Sequence, residues 1–438
     1  MKSKRLHLII CLCLLPLSLV FEAWAGKPVL GGESRAWHSA DSAGLAAAFV
    51  RSGDLWIKIG EEERRLTEGE QVREPRWSRD GRWIAYTSGQ RSLRLYSLEN
   101  GKSMTVSENA TNVQWSPVNN KLAFQSDAIL HVADADRWED GQAVSNAAKG
   151  VGNYSWLPNG RGFLVSTQAQ PLPSGWSDIR LYEIPLAAGK EFPQGRLLLT
   201  IPSEQQSFFA IQTGRFHWSE DYTWVAFLAI PTASLSADGD TLLIMSWNGK
   251  KLIPAGEMLN REEWLAWSPQ AELLAFIGGT GRDATIGKKL TVARAPFSHK
   301  TVLTPDGFAD RDLSWLPGGN IVVSRAQENK GNSGVPFAEP VQPSLVKVSA
   351  ADHSAVPISA PPPGFGDYRP EYDYRSQLMS WIRSNGSDAS VWIGGTDGAG
   401  AREWISGLDH APVYYGQMNW DEVLDLYHPK KQRQPNLK

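Results

Sequence analysis

Three observations predict an all-β fold assembled from repeats. A tryptophan followed by a tight turn and an apolar strand recurs six times, and the intervals along the chain run from 38 to 62 residues. Each copy carries four short strand signals. A period near 45 with four strands per unit is typical of a propeller blade, because one sheet cannot bury both of its faces alone. We therefore predict a β-propeller of eight four-stranded blades, with seven blades as the alternative.

The clearest copy of the repeat runs from Glu74 to Ser88. Its innermost strand ends at Trp77, a tight turn follows at Asp80-Gly81, and the second strand covers 82–88. The third and fourth strands are predicted at 93–98 and 103–107. The strands of each blade are called a, b, c and d below, counted from the innermost strand outwards.

The residue that ends strand a in each copy is called the anchor, and we expect it to pack between blades. Tyrosine replaces tryptophan in one copy. The anchors are Trp77, Trp115, Trp156, Trp218, Trp267, Trp315, Tyr372 and Trp420.

The two ends of the repeat region complete the count. Residues 46–50 fit strand b and 55–57 fit strand c, but no strand a precedes them. Residues 415–420 fit a strand a, and no full strand b follows. The simplest closure places this last strand in the first blade, which removes the open edge of the ring.

The first 25 residues have the pattern of a secretory signal peptide. Lys2, Lys4 and Arg5 precede an apolar run over 6–21, and Ala23-Trp24-Ala25 offers a cleavage site. An uncleaved N-terminal anchor is the alternative. Both cysteines fall inside this segment, so the mature chain has no thiol chemistry. We expect a signal peptide at 1–25, one propeller domain at 26–428 and a flexible basic tail at 429–438, in a periplasmic or secreted protein.

The charge balance argues against some partners. Without residues 1–25 the chain has 41 basic and 46 acidic residues, and no basic stripe runs along it. Nucleic acid is therefore not an expected partner, and no membrane span is expected after signal cleavage.

The Trp-Ser-x-Asp-Gly turn followed by Ile-Ala-Tyr resembles the repeat of TolB-type propellers. This repeat also occurs in the propellers of dipeptidyl peptidases and prolyl oligopeptidases, and the resemblance covers residues 40–428. The α/β domain that precedes the TolB propeller is not expected here, and no Gly-x-Ser-x-Gly elbow of a peptidase domain is found. The resemblance implies an exported scaffold that binds other molecules and assigns no catalytic residue.

Polar residues recur three positions before the anchors. We expect this set to form a ring near one mouth of the central channel, with Trp264 as an aromatic platform. The alternative is that these side chains solvate the channel or bond to neighbouring blades. The set is Glu74, Asn112, Asn153, Arg215, Trp264, Asp312, Arg369 and Gln417. The residues that directly precede the anchors form a second set, and we expect them to line the channel farther from the mouth.

Long segments join strands b and c in four consecutive blades. They cover about 167–177, 228–240, 277–287 and 325–343. These loops emerge on the face where strand a begins, so we expect a protein, small-molecule or glycan partner to bind there.

The sequence favours a non-enzymatic binding scaffold. The alternative is a carbohydrate- or peptide-processing enzyme that uses channel acids such as Glu74, Asp312 or Glu371. The histidines share no spacing typical of metal ligands, and only His217 falls in the channel register. Neither a metal site nor a cofactor is expected.

Overall fold

The structure is a computed structural model that describes residues 44–89, 91–140, 144–186, 195–205, 207–328, 342–410, 413–414 and 417–428. The predicted signal peptide at 1–25 and the predicted tail at 429–438 lie outside these residues. Most of the predicted loop at 325–343 does so as well.

Most of the described strands form eight antiparallel sheets of four or five strands, and each of these sheets is one blade of the propeller. A continuous run of mainly apolar residues builds strand b, which is almost wholly buried. From strand a to strand d, blade 1 is Leu424–Leu426, Ala46–Arg51, Asp54–Ile59 and Glu62–Arg65. Blade 2 is Val72–Trp77, Trp83–Ser88, Ser92–Ser97 and Ser103–Ser107. Blade 3 is Thr111–Trp115, Lys121–Ser126, Ile129–Asp134 and Val144–Lys149. Blade 4 is Asn153–Trp156, Gly162–Ser166, Ile179–Pro185 and Arg196–Ile201.

The remaining four blades repeat the order. Blade 5 is His217–Trp218, Trp224–Ile230, Asp240–Ser246 and Leu252–Met258, with Gln212–Thr213 added beside strand b. Blade 6 is Leu265–Trp267, Leu273–Gly278, Lys289–Arg294 and His299–Val302. Blade 7 is Phe308–Leu316, Asn320–Gln327, Ser344–Ser349 and Ala355–Pro357. Blade 8 is Gly366–Asp373, Leu378–Ser384, Ala389–Gly394 and Arg402–Ile405.

Several short elements lie outside the eight blade sheets. Two small hairpins are Pro171–Leu172 with Gly175–Trp176, and Val413–Tyr414 with Gln417–Met418. The α-helix is Ala233–Ser236, in the b-c loop of blade 5. The 3-10 turns are Ala135–Asp140, Glu262–Trp264, Pro317–Gly319 and Trp420–Glu422.

The C-terminal strand closes the ring by joining blade 1, as predicted, but it begins later than expected. The closing strand is Leu424–Leu426, which pairs with Ala47 to Phe49. The described part of the predicted strand, 417–420, is therefore not strand a of blade 1, and the buried Trp420 instead starts a 3-10 turn. Tyr427 N donates to Ala46 O as Ser78 N donates to Trp83 O in blade 2, so Leu426 takes the anchor position. The segment 420–428 is called the closing segment below.

The apolar core is divided among the spaces between blades. One cluster joins blades 8, 1 and 2, and another joins blades 5, 6 and 7. Smaller clusters fill the spaces between blades 2 and 3, 3 and 4, 4 and 5, and 7 and 8. Each blade is thus buried by its neighbours, which is the requirement that predicted a closed ring.

The anchor tryptophans fasten neighbouring blades through their indole N–H groups. Trp115 Nε1 donates to Arg76 O at 3.0 Å, and Trp267 Nε1 donates to His217 O at 2.8 Å. In both cases the acceptor is the carbonyl one residue before the anchor of the preceding blade. Trp156 and Trp315 make the same bond, and Trp218 uses Ser155 Oγ instead. A tryptophan at this position thus supplies both a large apolar surface and an N–H group that is satisfied between blades.

Candidate functional site

The residues three before the anchors form a hydrogen-bonded chain across the innermost strands, here called the channel belt. Asn112 Nδ2 donates to Asn153 Oδ1 at 2.9 Å, which joins blade 3 to blade 4. The Asn153 amide then donates to Gly214 O at the start of blade 5. Arg215 pairs with Glu262 of blade 6, where Nε lies 3.1 Å from Oε2. The predicted polar set therefore connects one blade to the next.

The belt continues from blade 6 to the closing segment. Trp264 Nε1 donates to Asp312 Oδ1 at 3.0 Å, and Arg369 N donates to Asp312 Oδ2 at 2.8 Å. Arg369 Nε then donates to Asp421 Oδ1 at 2.9 Å. These polar groups are used between blades, which is the alternative that the sequence left open for them.

Backbone strain recurs along the belt. Glu74, Asn112, Asp312 and Arg369 have φ of 51°, 51°, 47° and 46°. Each lies at an irregularity in the pairing of strand a with strand b. Such positive φ angles are uncommon for residues other than glycine, and a β-bulge redirects the side chain it carries. At Asn112, Asp312 and Arg369 the bulged side chain bonds along the belt.

One member of the predicted set, Trp264, departs from the expected role. Trp264 is only 2% exposed and belongs to the core between blades 5, 6 and 7, so it is not an aromatic platform. The 3-10 turn Glu262–Trp264 buries its ring and directs its N–H to Asp312. Glu74 is exposed to solvent. The side chain of Gln417 lies outside the described residues.

Charged groups of the closing segment meet blades 8 and 2 at the channel. Asp421 pairs with Arg369, and His428 Nε2 lies 2.5 Å from Glu371 Oε1. Asp425 Oδ2 accepts the Trp77 N–H at 2.7 Å. We call this group of residues, together with Arg76, whose Nη1 donates to Asp421 O at 2.8 Å, the closure network.

Glu371 was named from the sequence, but Asp421 and Asp425 were not, because the closing strand lies later in the chain than predicted. With the anchor at Leu426, Asp425 falls one residue before it. Glu371 and Arg76 hold that same position in blades 8 and 2. The signal was thus present in the sequence, but three residues of strand are too short for a periodic pattern.

Three acids near the channel have displaced pKa values. Burial, reinforced by the charge of Asp421, raises the pKa of Glu263 to about 8. Burial also raises the pKa of Asp425 to about 6. Burial opposes ionisation of Asp421 too, but Arg369 and Arg76 outweigh it and lower the pKa of this carboxyl. Glu263 and Asp421 therefore hold different protonation states near neutral pH.

No protein-family model matches the sequence, and no curated protein matches it. Solved structures with the same fold do. The dihydro-heme d1 dehydrogenase NirN has 14% identity, covers 86% of this chain and 76% of its own, and gives a TM-score of 0.58. Dipeptidyl peptidase 4 of Porphyromonas gingivalis has 9% identity, with 84% and 59% covered and a TM-score of 0.52. The chain is an eight-bladed β-propeller. A putative TolB from Agrobacterium tumefaciens matches at 13% identity, with 88% and 98% covered and a TM-score of 0.35.

Two cavities open on one face of the propeller. One, of about 410 Å³, is lined by residues between blades 4 and 5, by the b-c loops of blades 5 and 6, and by 259–261 between these two blades. The other, of about 510 Å³, is lined by 149–150 and by the b-c loop of blade 4. In an antiparallel blade the b-c loops and the links between blades lie at the same end. Both cavities are therefore on the face that carries the b-c loops.

Within the described part of the chain, no group of three metal-ligating side chains is arranged to hold a metal ion. His217 lies in the channel register with Nε2 buried and without a hydrogen bond, and burial lowers its pKa to about 4. Among the helices in these residues, none is long and apolar enough to cross a membrane.

Proposed function

We propose that this propeller is an exported, non-enzymatic scaffold that binds a protein, small-molecule or glycan partner in the cell envelope or outside the cell. The observation that carries the proposal is that both cavities open on the face with the long b-c loops. Binding residues are often found on loops that a rigid scaffold positions, and the closed ring supplies that scaffold.

The channel belt supports this choice of face. Asp312, for example, accepts from both Trp264 and Arg369, so both of its carboxylate oxygens are engaged in contacts between blades. Polar groups that hydrogen-bond to one another make the channel wall rigid. Binding of a partner is then left to other surfaces. The b-c loops differ in length from blade to blade, and they are free to differ in chemistry.

Export is proposed from the N-terminal sequence. Three basic residues, an apolar run and Ala23-Trp24-Ala25 match a cleavable signal. N-terminal sequencing of the mature protein is expected to begin at Gly26, and cell fractionation is expected to recover it outside the cytoplasm. Mature protein that begins at Met1 in the cytoplasm would contradict the proposal.

Site-specific photo-crosslinking in intact cells tests the binding face. A photoreactive residue in place of Gln212 lies beside the 410 Å³ cavity, on the face that carries the long b-c loops. A matched probe at Lys250 lies in the c-d turn of blade 5, on the opposite face. We expect one defined adduct from position 212 and none from position 250. Adducts from position 250 alone, or from neither position, would show that this face does not bind.

One observation favours the enzymatic alternative. Glu263 keeps its proton near neutral pH while Asp421 is ionised, and two acids with displaced pKa values can act as general acid and general base. Of the acids named from the sequence, Glu371 is engaged by Arg369 and His428. An activity screen on glycans and peptides tests the alternative, with Glu263→Gln as the variant. Turnover that Glu263→Gln abolishes would favour the enzyme over the scaffold.

A further inference from the structure

The 410 Å³ cavity has mixed polar and apolar walls and one largely buried cation. Ile230 and Leu259 supply part of the apolar surface, and Gln212 and Asn260 add amide groups. Arg261 also lines the cavity, and its side chain is only 15% exposed. Ligand sites commonly combine such walls with a few polar groups that fix the ligand's orientation.

The charge of Arg261 is weakly compensated. Among the described residues, its ion-pair partner is Glu263, with 3.9 Å from Nη1 to Oε1, and Glu422 interacts with it electrostatically without forming an ion pair. The 3.9 Å separation is too long for a hydrogen bond. Burial raises the pKa of Glu263 to about 8, which weakens the negative charge that it offers Arg261 near neutral pH. A largely buried guanidinium that has no hydrogen-bonded anion among the described residues favours a negatively charged ligand.

The other arginine at the cavity is already neutralised. Arg282 donates to both carboxylate oxygens of Asp238, at 2.8 and 2.7 Å. Gly281 N donates to Asp238 O at 2.6 Å, which ties the b-c loop of blade 6 to that of blade 5. These bonds hold the rim in place, and a preorganised rim reduces the cost of binding.

We propose that this cavity binds a small carboxylate that has an apolar body, with Arg261 holding the carboxylate and Ile230 and Leu259 contacting the body. The inference rests on the proposed binding function and names its ligand class. A volume of 410 Å³ holds about a dozen water-sized groups, so the ligand has roughly as many non-hydrogen atoms.

Phenylbutyrate and phenylbutyramide are suitable probes because they have the same size and differ in charge. Each is titrated into the mature protein and followed by ligand-observed NMR. We expect phenylbutyrate to bind with a Kd on the order of 1 mM, and phenylbutyramide to bind about tenfold more weakly or worse. Equal binding of the two probes, or no binding of phenylbutyrate, would overturn the proposal.

Variants of Arg261 locate the carboxylate. Arg261→Gln is expected to remove the preference for the charged probe, whereas Arg261→Lys keeps part of it. Arg196→Gln is the matched control, because Arg196 pairs with Glu183 on the outer strands of blade 4. Ala233→Trp, at the cavity lining, is expected to block both probes. A preference that survives Arg261→Gln in a folded protein would show that another group binds the carboxylate.

The results of the two experiments distinguish the carboxylate ligand of this cavity from the binding function of the b-c loop face. A crosslink at position 212 together with no phenylbutyrate binding would retain the binding face and reject the ligand class. The absence of both would reject the binding face as well.

Discussion

Deleting residues 420–438 tests whether the closing segment holds the ring together. The deletion removes five buried apolar side chains, each at most 7% exposed. They are Trp420, Val423, Leu424, Leu426 and Tyr427. Burial of one such side chain contributes about 1.5–3 kcal/mol, so the five together contribute about 8–15 kcal/mol. This sum is comparable with the whole stability of a folded protein, about 5–15 kcal/mol.

The truncated protein is therefore expected to unfold or aggregate, because it also exposes the edge of strand Ala46–Arg51. Thermal unfolding followed by circular dichroism, with light scattering for aggregation, measures the effect. The control deletes only 429–438, which lie beyond the closing strand, and is expected to keep the parent melting temperature. A truncation at 420 that melts at the parent temperature would refute closure by this segment.

Three further variants probe the channel belt, the closure network and the b-c loops. Trp264→Ala is expected to lose about 3–5 kcal/mol of unfolding free energy in urea, and Trp264→Phe to lose less, since mainly the bond to Asp312 is removed. Burial opposes protonation of His428, but Glu371 outweighs it and raises the histidine pKa above its ordinary 6.5. The stabilisation from this pair is therefore complete below about pH 6.5 and is lost as pH rises through the folded pKa; His428→Gln should flatten the urea midpoint across that range. Lys288 is fully buried and donates to three loop carbonyls, so Lys288→Met is expected to cost about 1–3 kcal/mol and to speed hydrogen exchange over 279–288, and unchanged exchange would contradict this role.

The repeat made the fold predictable, because local chemistry and blade geometry agree at each copy. Trp77 and the Asp80-Gly81 turn specify where strand a ends and strand b begins. The last strand lies later than predicted, because Trp420 has the spacing of an anchor while Leu426 has no distinguishing feature in the sequence. Only the pairing with Ala47 to Phe49 identifies the closing strand.

The candidate site was less predictable because side-chain direction depends on local backbone geometry. Counting residues from the anchors located the channel belt, but the bulges and the 3-10 turn before Trp264 decide which groups are bonded or buried. Arg261 carries no repeat signature at all. Its importance comes from the cavity beside it and from its distance to Glu263, and neither follows from the order of residues.

The closure of the ring explains why polar side chains at the channel bond between blades, while the b-c loops on the face are left for binding. Every blade must bond to two neighbours through its strand a, so the polar side chains there are constrained by that requirement. Asp425 bonds to Trp77 N and Ser314 to Tyr372 N in the same way, although the two side chains differ in charge. The b-c loops are not constrained in this way. The loop of blade 6 therefore encloses Lys288, whereas the loop of blade 5 contains a helix. Differences between blades are therefore the place to look for recognition, and the cavity beside Arg261 is bounded by the two blades that carry them.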